Sequence, residues 1–241
     1  MGVPSMQLLA AKTAAAAGGF SPSDISGLVA WYDAYDSGTV TQSLGAVSAW
    51  ADKSANGYDL TAPVGNEPVT GSTTLNGRAT IESAGSDWVS NTTDSFMGSP
   101  MTMAAVCYYP GAANYGVQPL SGPDNALGFY IYNGSARIDK QNVATIITRT
   151  YSTVGWLLFV GKIDASSAEI WIDAVKQGVT ASHVQTFTAG TGVGVLTGRP
   201  NGSFPSASGA KLAELIVYNS FLSTADQGDV ETYLNDKWAV Y

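Results

Sequence analysis

This sequence is poor in charge and has one cysteine and one histidine, and each scarcity excludes something. Only 12% of its 241 residues are charged, about half the usual share. The net charge is −8 and the eleven Lys and Arg are scattered, so no basic patch exists to meet a phosphate backbone and nucleic acid is not an expected partner. The single cysteine, Cys107, builds no disulfide framework within one chain. Its neighbours Val106 and Tyr108 mark it as a buried thiol. One Cys and one His are too few for a zinc site. His183 sits in a polar stretch with no nucleophile beside it, as a surface residue would, and no Gly-x-Ser-x-Gly elbow occurs. No apolar run reaches the ~18–20 residues of a membrane span, so no membrane insertion is expected.

Paired carboxylates are missing too. Retaining glycosidases hold two carboxyl groups roughly 5–5.5 Å apart, which a strand supplies from acids at i and i+2 on one face. Two places after Glu67, Glu82, Glu169, Glu214 and Glu231 stand Val69, Ala84, Trp171, Ile216 and Tyr233. The expectation is a domain with no catalytic residues. Gly190-Thr191-Gly192-Val193-Gly194 lacks the strand-then-helix setting of a dinucleotide motif and reads as a glycine-softened strand.

What is present is a series of short apolar runs separated by turn residues. Leu28-Val29-Ala30-Trp31-Tyr32, Met101 to Tyr109, Ala126 to Tyr132, Gly155 to Ile163 and Ala210 to Tyr218 each suit a buried strand. Asn56-Gly57, Asn133-Gly134 and Asp173-Ala174 stand where tight turns are needed. The first of these predicts a hairpin whose near arm begins at Trp50. Ala168 to Asp173 alternates strictly, with Ile170 and Ile172 on one face and Trp171 on the other. One helix is expected inside the domain. Ser223 and Asp226 resemble a capping box, and Val230, Tyr233, Leu234 and Trp238 make one apolar stripe that closes the sandwich edge. Such spacing predicts an all-β sandwich or jelly roll with a short C-terminal helix.

Residues 1–20 differ in composition, being small, apolar and Ala-rich up to Gly18-Gly19. No basic residue precedes Leu8 and Lys12 interrupts the apolar run, which is not the pattern of a secretory signal. The segment reads as an arm, with Met6, Leu8 and Leu9 as its anchor to a larger assembly. The folded domain is then 21–241.

Taken as a set, ISGLVAWYDA (25–34), WADKSANGYDLT (50–61), NGRATIES (76–83), GWLLFVGKIDASSAEIWIDAVKQ (155–177) and AELIVYNSFLSTADQGDVETYLNDKW (213–238) carry a family signal. The chain resembles the laminin-G-like, concanavalin A-like jelly-roll domains of bacterial and bacteriophage proteins. Ser54-Ala55-Asn56-Gly57 replaces the family's usual Ser-Gly-Asn-Gly, and Glu82-Ser83 replaces an apolar and acidic pair. The resemblance implies a concanavalin A-like sandwich of two antiparallel sheets. It also implies a structural or decoration protein at a bacteriophage virion surface, with other virion proteins and copies of itself as partners. The alternative it implies is a secreted or cell-surface carbohydrate-binding module.

For glycan binding the aromatics decide. Trp31, Trp156 and Trp238 sit in buried runs, whereas Trp50, Tyr58 and Trp88 lie near loops and are the expected sugar-stacking residues. No cofactor is expected. Asp33, Asp36, Asp52 and Asn56 offer loop oxygens of the kind calcium takes, without any EF-hand loop.

Overall fold

The structure is a computed structural model that describes residues 19–94, 96–111, 114–187 and 190–241. The anchor residues Met6, Leu8 and Leu9 lie outside the described residues. After a 3-10 turn (Pro22–Asp24) come β1 (Leu28–Asp33), β2 (Val40–Ser43), β3 (Ala46–Trp50), β4 (Leu60–Thr61), β5 (Val69–Leu75), β6 (Arg78–Glu82) and β7 (Val89–Asn91). The middle of the chain forms β8 (Met101–Tyr109), β9 (Val117–Ser121), β10 (Leu127–Tyr132), β11 (Ser135–Lys140) and β12 (Ala144–Thr150). Then follow β13 (Gly155–Ile163), β14 (Ser167–Ile172), β15 (Val175–Lys176), β16 (Ala181–Ser182), β17 (Val193–Val195), β18 (Lys211–Tyr218) and α1 (Thr224–Trp238).

These strands make two antiparallel layers, as the sequence predicts. One layer runs β1–β18–β8–β13–β14. The other runs β12–β11–β10–β9–β17–β7–β4–β3–β2. The β5–β6 hairpin joins them, because β5 pairs with β3 while β6 pairs with β18.

Why β8 is apolar throughout follows from its place. Met103, Ala105 and Cys107 point into the sandwich core, while Ala104 and Val106 point to the other face, beneath α1. A strand covered on both sides reads as a continuous apolar run rather than an alternating one. Cys107 is wholly buried, as expected, and burial pushes its thiol pKa up.

The helix departs from expectation. It covers the outer face of the first layer rather than its edge, packing Val230, Leu234 and Trp238 against Val106, Leu158 and Ile216. Full burial of such side chains stabilises by roughly 1.5–3 kcal/mol each. Ser223 caps it by accepting from the Asp226 N–H at 3.1 Å. No helix among the described residues is long and apolar enough to cross a membrane.

The Asn56-Gly57 hairpin is also corrected. Trp50 ends β3 and pairs with Leu60, so 51–59 is a loop, with positive φ at Ala55 and Gly57 rather than at Asn56. Asp52 shapes this loop instead, accepting N–H groups from Trp31 at 3.0 Å, Ser54 at 2.8 Å and Tyr58 at 3.2 Å. The Asn56 amide reaches the β1 carbonyls of Leu28 and Val29. The motif therefore pins a loop to β1.

Candidate functional site

Of the three predicted stacking residues, Trp50 is closed off from solvent, while Tyr58 and Trp88 are half-buried. Trp50 is 0% exposed and packs against Tyr32 in the sandwich core, so no sugar reaches it. Its run ends at a loop, but β3 turns it inward. Tyr58 is half-buried edge-on to Phe96, with ring centroids 4.9 Å apart. Trp88 is half-buried against Gly202, where a Cβ would collide with its ring. His183 is half-buried too, edge-on to Phe187, rather than on the open surface. The oxygens suggested for calcium are engaged within the protein. Asp33 pairs with Lys53 and Lys237, and Asp36 with Lys53. Among the described residues no group of three or more His, Cys, Asp or Glu is placed to hold a metal.

A different cluster forms on the outer face of the second layer. Asn133 and Gly134, both at positive φ, join β10 to β11 in register, Tyr132 opposite Ser135. Alternation then divides the hairpin. Leu127, Phe129, Ile131, Ala136 and Ile138 face the core. Tyr130, Tyr132, Arg137 and Asp139 face outward, with Tyr130 directly opposite Arg137. The Arg137 guanidinium lies over the Tyr132 ring at 4.8 Å, and the Tyr130 hydroxyl donates to the Asp139 carboxylate.

Two further segments wall this face. A bulge in β9 sets Leu120 opposite Phe129 but Val117 opposite Ile131, so that Val117 and Leu120 both fill the core while Gln118 lines the outer hollow. The Gln118 amide donates to the Phe204 carbonyl at 2.5 Å, which holds the 196–206 loop over the sheet. That loop brings Arg199 and Phe204. Arg199 donates to the Gln141 side-chain oxygen at 2.5 Å and pairs with Asp124 at 2.9 Å. Phe204 packs on Tyr115, which packs edge-on against Tyr132.

The result is a hollow in two adjoining parts, about 230 Å³ and 660 Å³, with Asn142, Arg199 and Phe204 lining both. Three polar atoms of the side chains lining the smaller part, Arg137 Nε, Asp139 Oδ1 and Gln141 Nε2, are closed off from solvent without a hydrogen-bond partner, which is rare for buried polar groups. Burial raises the Asp139 pKa, opposed by the Tyr130 hydrogen bond, the Arg137 charge and the Thr145 hydroxyl. Burial likewise raises the Tyr130 and Tyr115 hydroxyls. Two donors and one acceptor beside aromatic rings can hold a ring bearing several hydroxyls, its apolar face against the aromatics.

No family model matches the sequence, and comparison with curated proteins finds no match. Solved structures do match. One belongs to work on botulinum neurotoxin type C, whose cell entry is dependent upon interaction with two ganglioside molecules. It is 10% identical with a TM-score of 0.58, over 86% of this chain and 51% of that one. A second is an arabinofuranosidase complexed with arabinofuranosyl-α-1,2-xylobiose, 14% identical with a TM-score of 0.60, over 77% of this chain and 50% of that one. A third is Trypanosoma rangeli sialidase, 12% identical with a TM-score of 0.54, over 88% of this chain and 33% of that one. This chain thus spans about half the length of the first two. At such identities the likeness shows a shared β-sandwich fold alone.

Proposed function

We propose that this domain is a non-enzymatic glycan-binding module whose site is the hollow between β10, β11 and the 196–206 loop. The observation that carries the proposal is the meeting of Arg137, Asp139 and Gln141 with Tyr115, Tyr130, Tyr132 and Phe204 around one concavity. Arg137 and Gln141 donate to sugar oxygens, Asp139 accepts from sugar hydroxyls, and a ring face packs on the aromatics. Both acids of the hollow have partners, Asp124 in Arg199 and Asp139 in Tyr130. Neither is poised as a nucleophile opposite a protonated acid. The fold shared with a ganglioside-dependent toxin and two glycosidases agrees with the reading as analogy only. A glycan array probed with the labelled full chain tests it, with Gln141→Ala as control.

The setting we propose is display on an assembly such as a bacteriophage virion, anchored through residues 1–20. One observation favours it. Phe20 packs against Tyr233 of α1, and the Pro22 carbonyl accepts from the Tyr218 hydroxyl at 2.9 Å. The chain therefore enters over the outer face of the first layer, on the opposite side of the sandwich from the hollow. An anchor on that side leaves the glycan site facing away from the particle.

A further inference from the structure

The two parts of the hollow differ in size and in lining. The inner part, about 230 Å³, falls below the ~300–1,000 Å³ of ordinary ligand sites, so it holds one piece of a ligand. The outer part, about 660 Å³, is bounded by Thr92, Thr191, Asn201 and Ser203 with the rings of Pro123 and Pro200. Short hydroxyl and amide side chains beside flat apolar rings suit a second sugar. The parts meet at Arg199 and Phe204, which line both. Arg199 pairs with Asp124 at 2.9 Å, whereas the Arg137 guanidinium lies over the Tyr132 ring at 4.8 Å.

We infer that the site takes an oligosaccharide of at least two rings. The terminal ring enters the inner part and the next occupies the outer part, with Arg199 and Phe204 at the linkage. This rests on the glycan reading above and deepens it. The inner ring is chosen by fixed donors and an acceptor, whereas the outer ring adds contact area and less selectivity.

The test is calorimetric titration of the full chain with galactose, glucose and xylose against lactose, cellobiose and xylobiose. At least one disaccharide is expected to bind roughly tenfold tighter than its monosaccharide. Thr191→Trp, at an exposed position on the outer wall, is expected to erase that gain and leave monosaccharide binding unchanged. Equal affinities within every pair, or equal weakening of both ligands by Thr191→Trp, overturns the inference and leaves the glycan reading standing. No binding of any of these sugars contradicts the glycan reading, and this inference with it.

Discussion

Gly128 and Gln141 are fitted to one another: a Cβ on Gly128 would occupy the space that the Gln141 side-chain amide fills. Gly128 lies opposite Asp139 on the β10–β11 ladder, and its backbone is not left-handed, so Ala is sterically foreign there through Gln141 first and the Tyr130 ring, at 3.0 Å, second. The bare strand lets a buried amide lie flat beside Asp139 and receive Arg199 on its oxygen. Gly128→Ala should therefore displace Gln141 and cut glycan affinity roughly tenfold or more, since one lost polar contact is worth ~1–3 kcal/mol. Its melting temperature should move little, because the far end of a side chain can swing away. Calorimetry with a parallel thermal melt checks both halves.

Asp139 links binding to pH. Its pKa is raised by burial, so it protonates at a higher pH than an ordinary aspartate and then stops accepting from sugar hydroxyls. Glycan affinity should begin to fall, on acidification, above the usual carboxylate range. Asp139→Asn should bind weakly with a flat acid limb. For stability the sign is opposite. A raised folded pKa favours the fold below the unfolded pKa, and that contribution is lost as pH rises through the folded value. Asp139→Asn should thus leave neutral-pH stability equal or higher while binding is lost, a split that titrations and melts across pH resolve.

A second buried network holds the helix rather than the site. A bulge between Leu212 and Glu214 turns both Ala213 and Glu214 toward α1. Glu214, 0% exposed, then accepts from Trp31 Nε1 at 2.7 Å, Tyr233 Oη at 2.9 Å and Trp238 Nε1 at 2.6 Å. Lys237 bridges Glu214 and Asp33, at 2.7 Å from each. Lys237→Met leaves two carboxylates facing each other and should cost ~3–5 kcal/mol in urea unfolding. Glu214→Gln should also destabilise, although the repulsion from Asp33 is gone, because its one amide oxygen replaces only one carboxylate oxygen and its NH2 then faces the indole N–H of Trp31 or Trp238.

Assembly is tested separately. If residues 1–20 are an anchor, full-length chain should show a higher solution mass by light scattering than a 20–241 truncation, which should melt cooperatively as a monomer. Equal masses would remove any role of the segment in self-association.

The sandwich was legible in the sequence because its strands sit in two kinds of place. β8 and β18, covered on both faces, read as apolar runs, and β14 reads as strict alternation. The turn at Asn133-Gly134 was legible because positive φ at both positions selects those residues, whereas Asp173-Ala174 takes the same geometry with an Ala that left-handed φ disfavours. At Asn56-Gly57 the same signal misled, because Asp52 shapes the loop through side-chain acceptors that no dipeptide pattern reveals. Trp50 misled for a related reason, since nearness to a loop in sequence does not decide which way a strand's last residue points.

The hollow was only half readable. Tyr130, Tyr132, Arg137 and Asp139 occupy alternate positions on either side of a recognisable turn, so the outward face of that hairpin was open to inference from period alone. Gln118, Arg199 and Phe204 were not. A β9 bulge and a loop distant in sequence bring them to the hairpin, and neither leaves a periodic trace. The Asp33–Glu214 pair escaped likewise, because cross-strand register between β1 and β18 joins acids that no i, i+2 search connects.

The most direct measurement is glycan-array binding of the full chain beside Gln141→Ala, with both proteins matched for melting temperature. Saturable binding to a defined glycan, lost or weakened at least roughly tenfold in the variant, is the predicted result. Equal binding by the two proteins would contradict the assignment of the hollow, and no binding by either would contradict glycan recognition itself.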